Sequence, residues 1–222
     1  MEYYKTWRNS IINIACVIWG SFMIKKVFML FVMILFITLG LGACGKKEKN
    51  PNDAIDYLKG LRSYSCDVNV HIKNSRQESE ITCKQFYDKN YGHRLDINED
   101  RILLYKKNDI IVSDLNNSMK YTLDKEFDSV YKLSFIEEYV GLLYTDEDIE
   151  SSFKKIEDRE YQLIQLNIPG NNRNISKAVM YVDLEDNYPD KIVIYDIKGN
   201  EVLNFIYKNF MANVKISKET FE

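Results

Sequence analysis

Apolar and polar residues alternate along most of the chain from Tyr64 onward, and this period of two constrains the fold more than any other feature. Such alternation is typical of β-strands with one buried and one wet face. Polar turns such as KKND and LNNS separate the alternating segments, which are 64–73, 79–87, 92–98, 101–106, 109–114, 118–123, 160–168, 177–184, 190–196, 201–209 and 213–217. Because strands follow one another with few helices between them, the sequence predicts an antiparallel sheet.

Two segments have helical periodicity instead. The first is capped by Asn52 or Asp53 and repeats apolar residues at Ala54, Ile55, Leu58 and Leu61. The second carries Val130, Leu133, Phe135, Ile136, Val140 and Leu143, and the acidic segment TDEDIESSFKKIED after it is expected to lead into a short strand or helix. The predicted fold class is therefore α+β and mainly β. Residues 52–222 form a single domain, in which one large curved antiparallel sheet, a half-barrel, carries the helices on its concave face.

The N-terminal region has the organisation of a bacterial lipoprotein signal. Lys25 and Lys26 precede an uncharged run that ends at Leu41-Gly42-Ala43-Cys44, so residues 23–43 read as a signal peptide. Cleavage is expected between Ala43 and Cys44, and the Cys44 thiol is the nucleophile that receives a diacylglycerol. Two acyl chains, palmitate for example, hold a protein durably on a membrane. The alternative is a plain membrane anchor. The lipoprotein interpretation predicts attachment to the extracytoplasmic face of the cell membrane.

Residues 1–22 fit this organisation poorly. They include a second apolar stretch, and only Lys25 and Lys26 separate it from the next one. We interpret 1–22 as a leader from a start codon placed too early, with Met23 as the true initiator. Residues 44–51 are then a short lipidated tether, whose lysines would lie near anionic headgroups.

The charge balance excludes one large class of partners. The formal net charge is −3, and it becomes more acidic once the lysine-bearing leader is removed. Nucleic-acid binding requires a basic face, so no nucleic-acid partner is expected.

Cys66 and Cys83 are the cysteines left after Cys16 in the leader and the lipidated Cys44. They lie in two alternating segments that can pair as a hairpin. If Lys73 lies opposite Arg76, Cys66 faces Cys83 within disulfide reach. The alternative is two reduced, buried and inert thiols.

No residue pattern predicts an active site. His71 and His93 lie on different predicted strands without a second metal ligand at the right spacing, and Cys66 and His71 fall on opposite faces of one strand. Adjacent Glu137 and Glu138 are expected on a wet helix face. The acidic cluster Asp146, Glu147, Asp148 and Glu150 lacks the glycine and spacing of an EF-hand loop. The sequence therefore predicts a protein that is not an enzyme and has no metal or cofactor.

Binding surfaces are the remaining candidates for function. All but Tyr3 and Tyr4 of the 16 tyrosines follow the signal segment, and many occupy strands. Tyrosine suits both ordinary sheet packing, the simpler explanation, and protein interfaces. A concave face can leave an apolar cleft, and unpaired edge strands can pair with another protein or form a homodimer with a second copy.

Several motifs resemble LolA-like lipoprotein-carrier domains. The segment MYVDLEDNYPDKIVIYDIKGNEVLNFIYKNFMAN is similar to the C-terminal strands of that family, and LRSYSCDVNV and QFYDKNYGHRLDI are similar to its opening. The resemblance covers about residues 52–218 and implies the half-barrel fold.

A lipidated member with this composition most resembles the germination lipoproteins of clostridia. That resemblance implies a non-catalytic protein that binds and enables a cell-wall N-acetylmuramoyl-L-alanine amidase, which modifies the spore cortex peptidoglycan during sporulation and so permits later germination. The alternative is a carrier of lipid or lipoprotein with a concave apolar pocket. A fixed anchor at Cys44 favours the tethered partner over a shuttle.

Overall fold

The computed structural model describes residues 50–73, 77–128, 130–145 and 149–222. There the chain forms two α-helices, α1 (Asn52–Lys59) and α2 (Ile136–Leu143), and 3₁₀ helices at Lys125–Phe127, Tyr131–Ser134 and Lys218–Phe221. The strands are β1 (Ser63–Lys73), β2 (Glu78–Asp88), β3 (Gly92–Ile97), β4 (Arg101–Tyr105), β5 (Asp109–Asp114), β6 (Met119–Asp124), β7 (Glu150–Ile156), β8 (Arg159–Asn167), β9 (Lys177–Asp183), β10 (Pro189–Tyr195) and β11 (Glu201–Ala212). The predicted leader, the signal peptide and most of the tether lie outside the described residues.

All eleven strands belong to one open antiparallel sheet in the order β6-β5-β4-β3-β2-β1-β11-β10-β9-β8-β7. The first and last strands pair at its centre, while β6 and β7 are its two edges. The chain between those edges carries two of the 3₁₀ helices and α2. The predicted fold class, a mainly β protein with one large antiparallel sheet, is confirmed.

One face of the sheet carries the core and both helices, and we call it the concave face. It receives every second residue of each strand, such as Val68 and Val70 on β1 and Ile192 and Ile194 on β10. The helices contribute buried residues to the same core: Ala54 and Leu58 from α1, and Ile136, Tyr139, Val140 and Leu143 from α2. Amphipathic strands and helices thus bury one apolar layer between them, which is the main stabilising contribution.

Buried hydrogen bonds fix the helical segment to the sheet. The Tyr139 hydroxyl on α2 donates to the Ile164 carbonyl and accepts from the Met180 amide, at 2.7 and 3.0 Å. The Tyr207 hydroxyl donates to the Ser134 carbonyl at 2.6 Å. The fully buried Gln85 donates from Nε2 to Ser134 Oγ at 2.7 Å. Because buried polar groups are costly to leave unpaired, these bonds select one seating of the segment.

Gly92 illustrates why a close strand approach needs glycine. Its φ is +95°, and a Cβ there would lie 2.8 Å from the Tyr105 carbonyl oxygen of the neighbouring strand. Any other residue would force β3 and β4 apart at this end.

The predicted strand 213–217 is wrong. β11 continues to Ala212 through an irregularity at Asn209, where φ is +52° and Nδ2 donates to Asp67 Oδ2 at 2.7 Å. The chain beyond Asn213 leaves the sheet and ends in the last 3₁₀ helix, which buries Phe221. Lys106 Nζ donates to the Phe221 carbonyl at 2.8 Å, so this segment pairs with side chains rather than with a strand.

The cysteine pairing register predicted from the sequence is also wrong, by two residues. Lys73 lies opposite Glu78 rather than Arg76, so Cys66 faces Gln85 and Cys83 faces Val68. The two cysteines are diagonal neighbours on the concave face instead of direct partners, and both are free in the structure. Diagonal positions are normally about 7–8 Å apart, beyond the usual Cα separation of a disulfide.

None of the helices in the described part of the chain is both long and apolar enough to cross a membrane.

Candidate functional site

The sequence-predicted site residues do not come together in the structure. Cys44 and Ala43, the lipidation and cleavage residues, lie outside the described residues. Cys66 and Cys83 are buried under the helices, and burial raises the pKa of both thiols, that of Cys83 to about 12. Such thiols are weak nucleophiles and poor metal ligands, so the cysteines read as core residues.

His71 and the acidic cluster likewise form no site. His71 lies on the face of β1 opposite Cys66, as expected, and its half-exposed ring is 3.6 Å from Glu80. Asp146, Glu147 and Asp148 are outside the described residues, and Glu150 begins β7. Within the described ranges, no group of three or more His, Cys, Asp or Glu side chains is arranged to hold a metal ion.

The prediction that Glu137 lies on a wet helix face is wrong, and it hid a buried polar pair. Glu137 and Glu138 open α2, and their side chains point in different directions. Glu138 forms an ion pair with Lys125 at 2.8 Å. Glu137 turns inward, where its Oε2 accepts from the Tyr64 hydroxyl at 3.2 Å and lies 4.0 Å from His93 Nδ1.

Aromatic rings enclose this pair. The His93 ring stacks on Tyr87 and Phe135, with centroids 4.7 and 4.2 Å apart, and meets the edge of Tyr105. His93 Nδ1 and Glu137 Oε1 are both buried without a hydrogen-bond partner among the described residues. An adjustment of about an ångström would bring Nδ1 and the carboxyl group into hydrogen-bond range.

Burial has opposite effects on the two pKa values, because it disfavours the charged form of each group. It lowers the pKa of His93 to about 3, with a further contribution from the Lys125 charge. It raises the pKa of Glu137 to about 8 against the opposing hydrogen bonds that Glu137 accepts. In the neutral pH range the Glu137 carboxyl group therefore keeps its proton, and the His93 ring stays uncharged. Rings close the pair off on several sides, so we interpret it as a structural element rather than as a catalytic acid and base.

An exposed apolar feature that sequence patterns did not single out lies at the β6 edge of the sheet. We define the edge patch as Met119, Tyr121, Leu123 and Phe127, whose exposed fractions are 58%, 40%, 36% and 78%. Met119, Tyr121 and Leu123 lie opposite Asp114, Val112 and Ile110 of β5, so they point to the concave side. Ile110 and Val112 are buried while their β6 neighbours Leu123 and Tyr121 are exposed, so the buried core reaches β5 but not β6.

Hydrogen bonds hold in place the chain segment that follows the edge patch in the sequence. Asp128 follows Phe127, and its carboxylate accepts from the amides of Val130, Tyr131 and Lys132 and from the Tyr105 hydroxyl, at 2.7–3.0 Å. Lys125 joins this turn to α2 through Glu138. The edge patch is therefore a fixed surface next to an unpaired strand edge, and both features favour binding of another chain.

Large side chains fill the interior of the concave face. Tyr64, Phe135, Tyr139 and Phe205 are each at most 1% exposed and belong to one core cluster with both helices. An acyl chain could enter only by displacing them, at a cost of several kcal/mol. The arrangement is that of a packed core with exposed apolar side chains at the β6 edge.

The family model of the YdcC-like sporulation proteins matches residues 24–221, nearly the whole chain. The chain belongs to the YdcC-like sporulation protein family. Comparison with curated protein sequences finds no significant match.

The solved structures that are similar to this family member have low sequence identity to it. An uncharacterized conserved protein from Thermus thermophilus has a TM-score of 0.52 at 8% identity, over 77% of this chain and 90% of that one. A chain from the complex of the CwlD amidase with the GerS lipoprotein of Clostridioides difficile has a TM-score of 0.45 at 19% identity, over 76% and 99%. The LolA superfamily protein NE2245 from Nitrosomonas europaea has a TM-score of 0.40 at 12% identity, over 78% and 98%. One of these similar structures is thus a LolA-superfamily protein, from the family whose motifs the sequence resembles.

Proposed function

We propose that this protein is a lipid-anchored, non-catalytic envelope lipoprotein that binds and enables a cortex peptidoglycan amidase during sporulation. Cys44 carries the lipid and holds the domain on the extracytoplasmic face of the membrane. The product of the partner enzyme is needed for later spore germination. Family membership supports the sporulation role, and the amidase is the partner that the resemblance to the germination lipoproteins implies.

The edge patch is the observation that carries the binding role. It combines three exposed apolar side chains on alternate residues of β6 with the unpaired main-chain groups of an edge strand. An extended partner segment can pair with the strand and place its own apolar residues against Tyr121 and Leu123. The filled interior supports binding at the edge over carriage of a lipid, because large buried side chains of the described residues occupy the concave face where an acyl chain would lie.

The direct test is binding of the purified domain to the purified cortex amidase of the same organism, measured by biolayer interferometry. Tyr121→Glu places a charge in the centre of the edge patch, and we expect it to weaken binding by about tenfold or more. The matched control is Thr122→Glu, which adds the same charge to the opposite face of the same strand and should bind like wild type.

Two outcomes would contradict the proposal. Equal loss in both variants would mean that charge on β6, rather than the patch, controls binding. A wild-type domain that does not bind the amidase, and that forms a dimer dissociated by Tyr121→Glu, would make the edge patch a self-association surface.

The anchor has a separate test. Mass spectrometry of the protein from membranes should find an N-terminal diacylglyceryl-modified Cys44, and Cys44→Ser should release the protein from the membrane fraction. A membrane-bound Cys44→Ser variant with an uncleaved N-terminus would instead favour a plain membrane anchor.

A further inference from the structure

The point where the domain begins lies beside one edge of the sheet. The Gln162 side chain on β8 donates from Nε2 to the Pro51 carbonyl at 2.6 Å and to Ser151 Oγ on β7 at 2.8 Å. Gln162 is fully buried, so this contact is a fixed part of the structure. The start of α1 is therefore pinned to the β7 end.

The tether is too short to let the lipid reach far from that end. The six residues from Cys44 to Lys49 can span at most ~20 Å, which is the length of a fully extended chain. The eleven strands, at ~4.8 Å each, place β6 about 48 Å from β7 along the sheet. If Cys44 is lipidated, the lipid lies within ~20 Å of the start of α1, which contacts β8, whereas β6 is the strand farthest from β7 along the curved sheet.

Large apolar side chains are exposed at this same end. We define the β7 patch as Ile149, which directly precedes β7, and Phe153 on β7, with exposed fractions of 41% and 40%. Phe153 lies directly opposite Gln162 in the β7–β8 pair, next to the start of the domain. Lys154, Lys155 and Glu150 are also exposed on β7, so charges of both signs flank the patch and the apolar side chains are its distinguishing feature.

We propose that the β7 patch rests in the headgroup region of the bilayer and orients the domain with its β7 edge toward the membrane. This rests on the proposed lipid anchor at Cys44. Aromatic and apolar side chains partition favourably into the interfacial region of the bilayer. A weak contact suffices, because the tether keeps the patch at a high effective concentration near the lipid.

The chain offers a clean spectroscopic test, because both tryptophans, Trp7 and Trp19, precede Cys44. Processed lipoprotein carrying Phe153→Trp would be reconstituted into phosphatidylcholine vesicles with and without brominated acyl chains. We expect at least twofold stronger quenching at position 153 than in the matched variant Tyr121→Trp, which reports on the far edge. Ile149→Trp provides a second probe of the β7 patch if Phe153→Trp folds poorly.

Three results would overturn the proposal: equal quenching at the two edges, stronger quenching at position 121, or no quenching at 149 and 153. Blue-shifted emission at 153 without lipid quenching would mean that a protein surface, such as a second copy, covers the patch. Vesicle flotation separates this inference from the anchor itself. A protein that floats with vesicles but shows no quenching keeps the lipid anchor and refutes the orientation, whereas failure to float refutes the anchor.

Discussion

The buried Glu137–His93 pair predicts an unusual dependence of stability on pH. The pKa of Glu137 is raised from its ordinary 4.5 to about 8, so between these values the folded state binds more protons than the unfolded state. The free energy of unfolding contributed by Glu137 is therefore present at low pH and lost as pH rises through 8. The pKa of His93 is lowered from 6.5 to about 3, so its contribution is lost as pH falls through that range.

The two effects cancel where they overlap. Between pH 4.5 and 6.5, Glu137 makes the free energy of unfolding fall with pH, and His93 makes it rise at the same ~1.36 kcal/mol per pH unit. We therefore expect a plateau in this range. Between pH 6.5 and 8 Glu137 acts alone, and the full loss would be about 2 kcal/mol. Because 23% of the Glu137 side chain is exposed, water reduces its burial cost, and we expect a loss of about 1–2 kcal/mol.

Glu137→Gln should remove this alkaline loss, because the amide resembles the protonated acid and does not ionise. Urea unfolding of the domain at about pH 5, 6.5 and 8 would measure the free energy of unfolding of wild type and variant. Glu138→Gln is the matched control, since Glu138 is the adjacent residue and pairs with Lys125 near the surface. It should shift stability by under about 1 kcal/mol at all three pH values and keep the wild-type slope.

A flat wild-type profile between pH 6.5 and 8 would refute this reasoning, as would an equal alkaline loss in Glu137→Gln. Titration of the thiols and tyrosines does not contribute between pH 6.5 and 8, because their ordinary pKa values lie above this range and burial raises these pKa values further.

Three other predictions follow from buried groups. Cys66 and Cys83 should not react with a thiol reagent in the native domain, because burial shields them and raises the pKa of each thiol. Both should react in urea. Labelling of the native domain would contradict the free, buried arrangement. Removing the C-terminal 3₁₀ helix should lower the unfolding free energy by about 2 kcal/mol through loss of the buried Phe221 ring, without changing amidase binding. Tyr207→Phe should cost about 1–3 kcal/mol in urea unfolding, because it leaves the buried Ser134 carbonyl without its 2.6 Å hydrogen bond; a smaller loss would mean that the carbonyl finds another donor.

The fold class was predictable because alternation identifies the buried face of each strand. Apart from β7, which lies in the segment expected to lead into a short strand or helix, the strands from β1 to β10 agree with the predicted ones to within a residue or two. Both helices and their place on the core face also followed from periodicity. These features depend on local sequence and on the burial of one face, which a single sequence contains.

The hairpin register could not be predicted in the same way. A shift of two residues moves Cys66 from Cys83 to Gln85 but leaves every side chain on its original face. The hydrophobic pattern is equally satisfied in both registers, so only the loop length distinguishes them.

The second predicted helix begins later than expected for a local reason. The carboxylate of Asp128 binds three successive amides and starts a 3₁₀ turn, and Phe135 then takes an extended conformation with ψ of 128°. The α-helix can begin only after it, at Ile136. Periodicity alone does not detect a break that a side-chain cap creates inside an apolar segment. The inward turn of Glu137 follows from this start point, which is why its burial was missed.

The strand order connects the two proposed surfaces. The edge patch on β6 and the β7 patch lie at opposite edges of one sheet whose strands are paired without interruption. Such a sheet resists bending within its hydrogen-bonded plane, and the pairing of β1 with β11 at its centre closes the chain between the two halves. A domain anchored through β7 would therefore present β6 at the opposite edge of the sheet from the anchor. A shuttle needs to leave the membrane, whereas a partner that positions an enzyme needs this separation of anchor and binding edge.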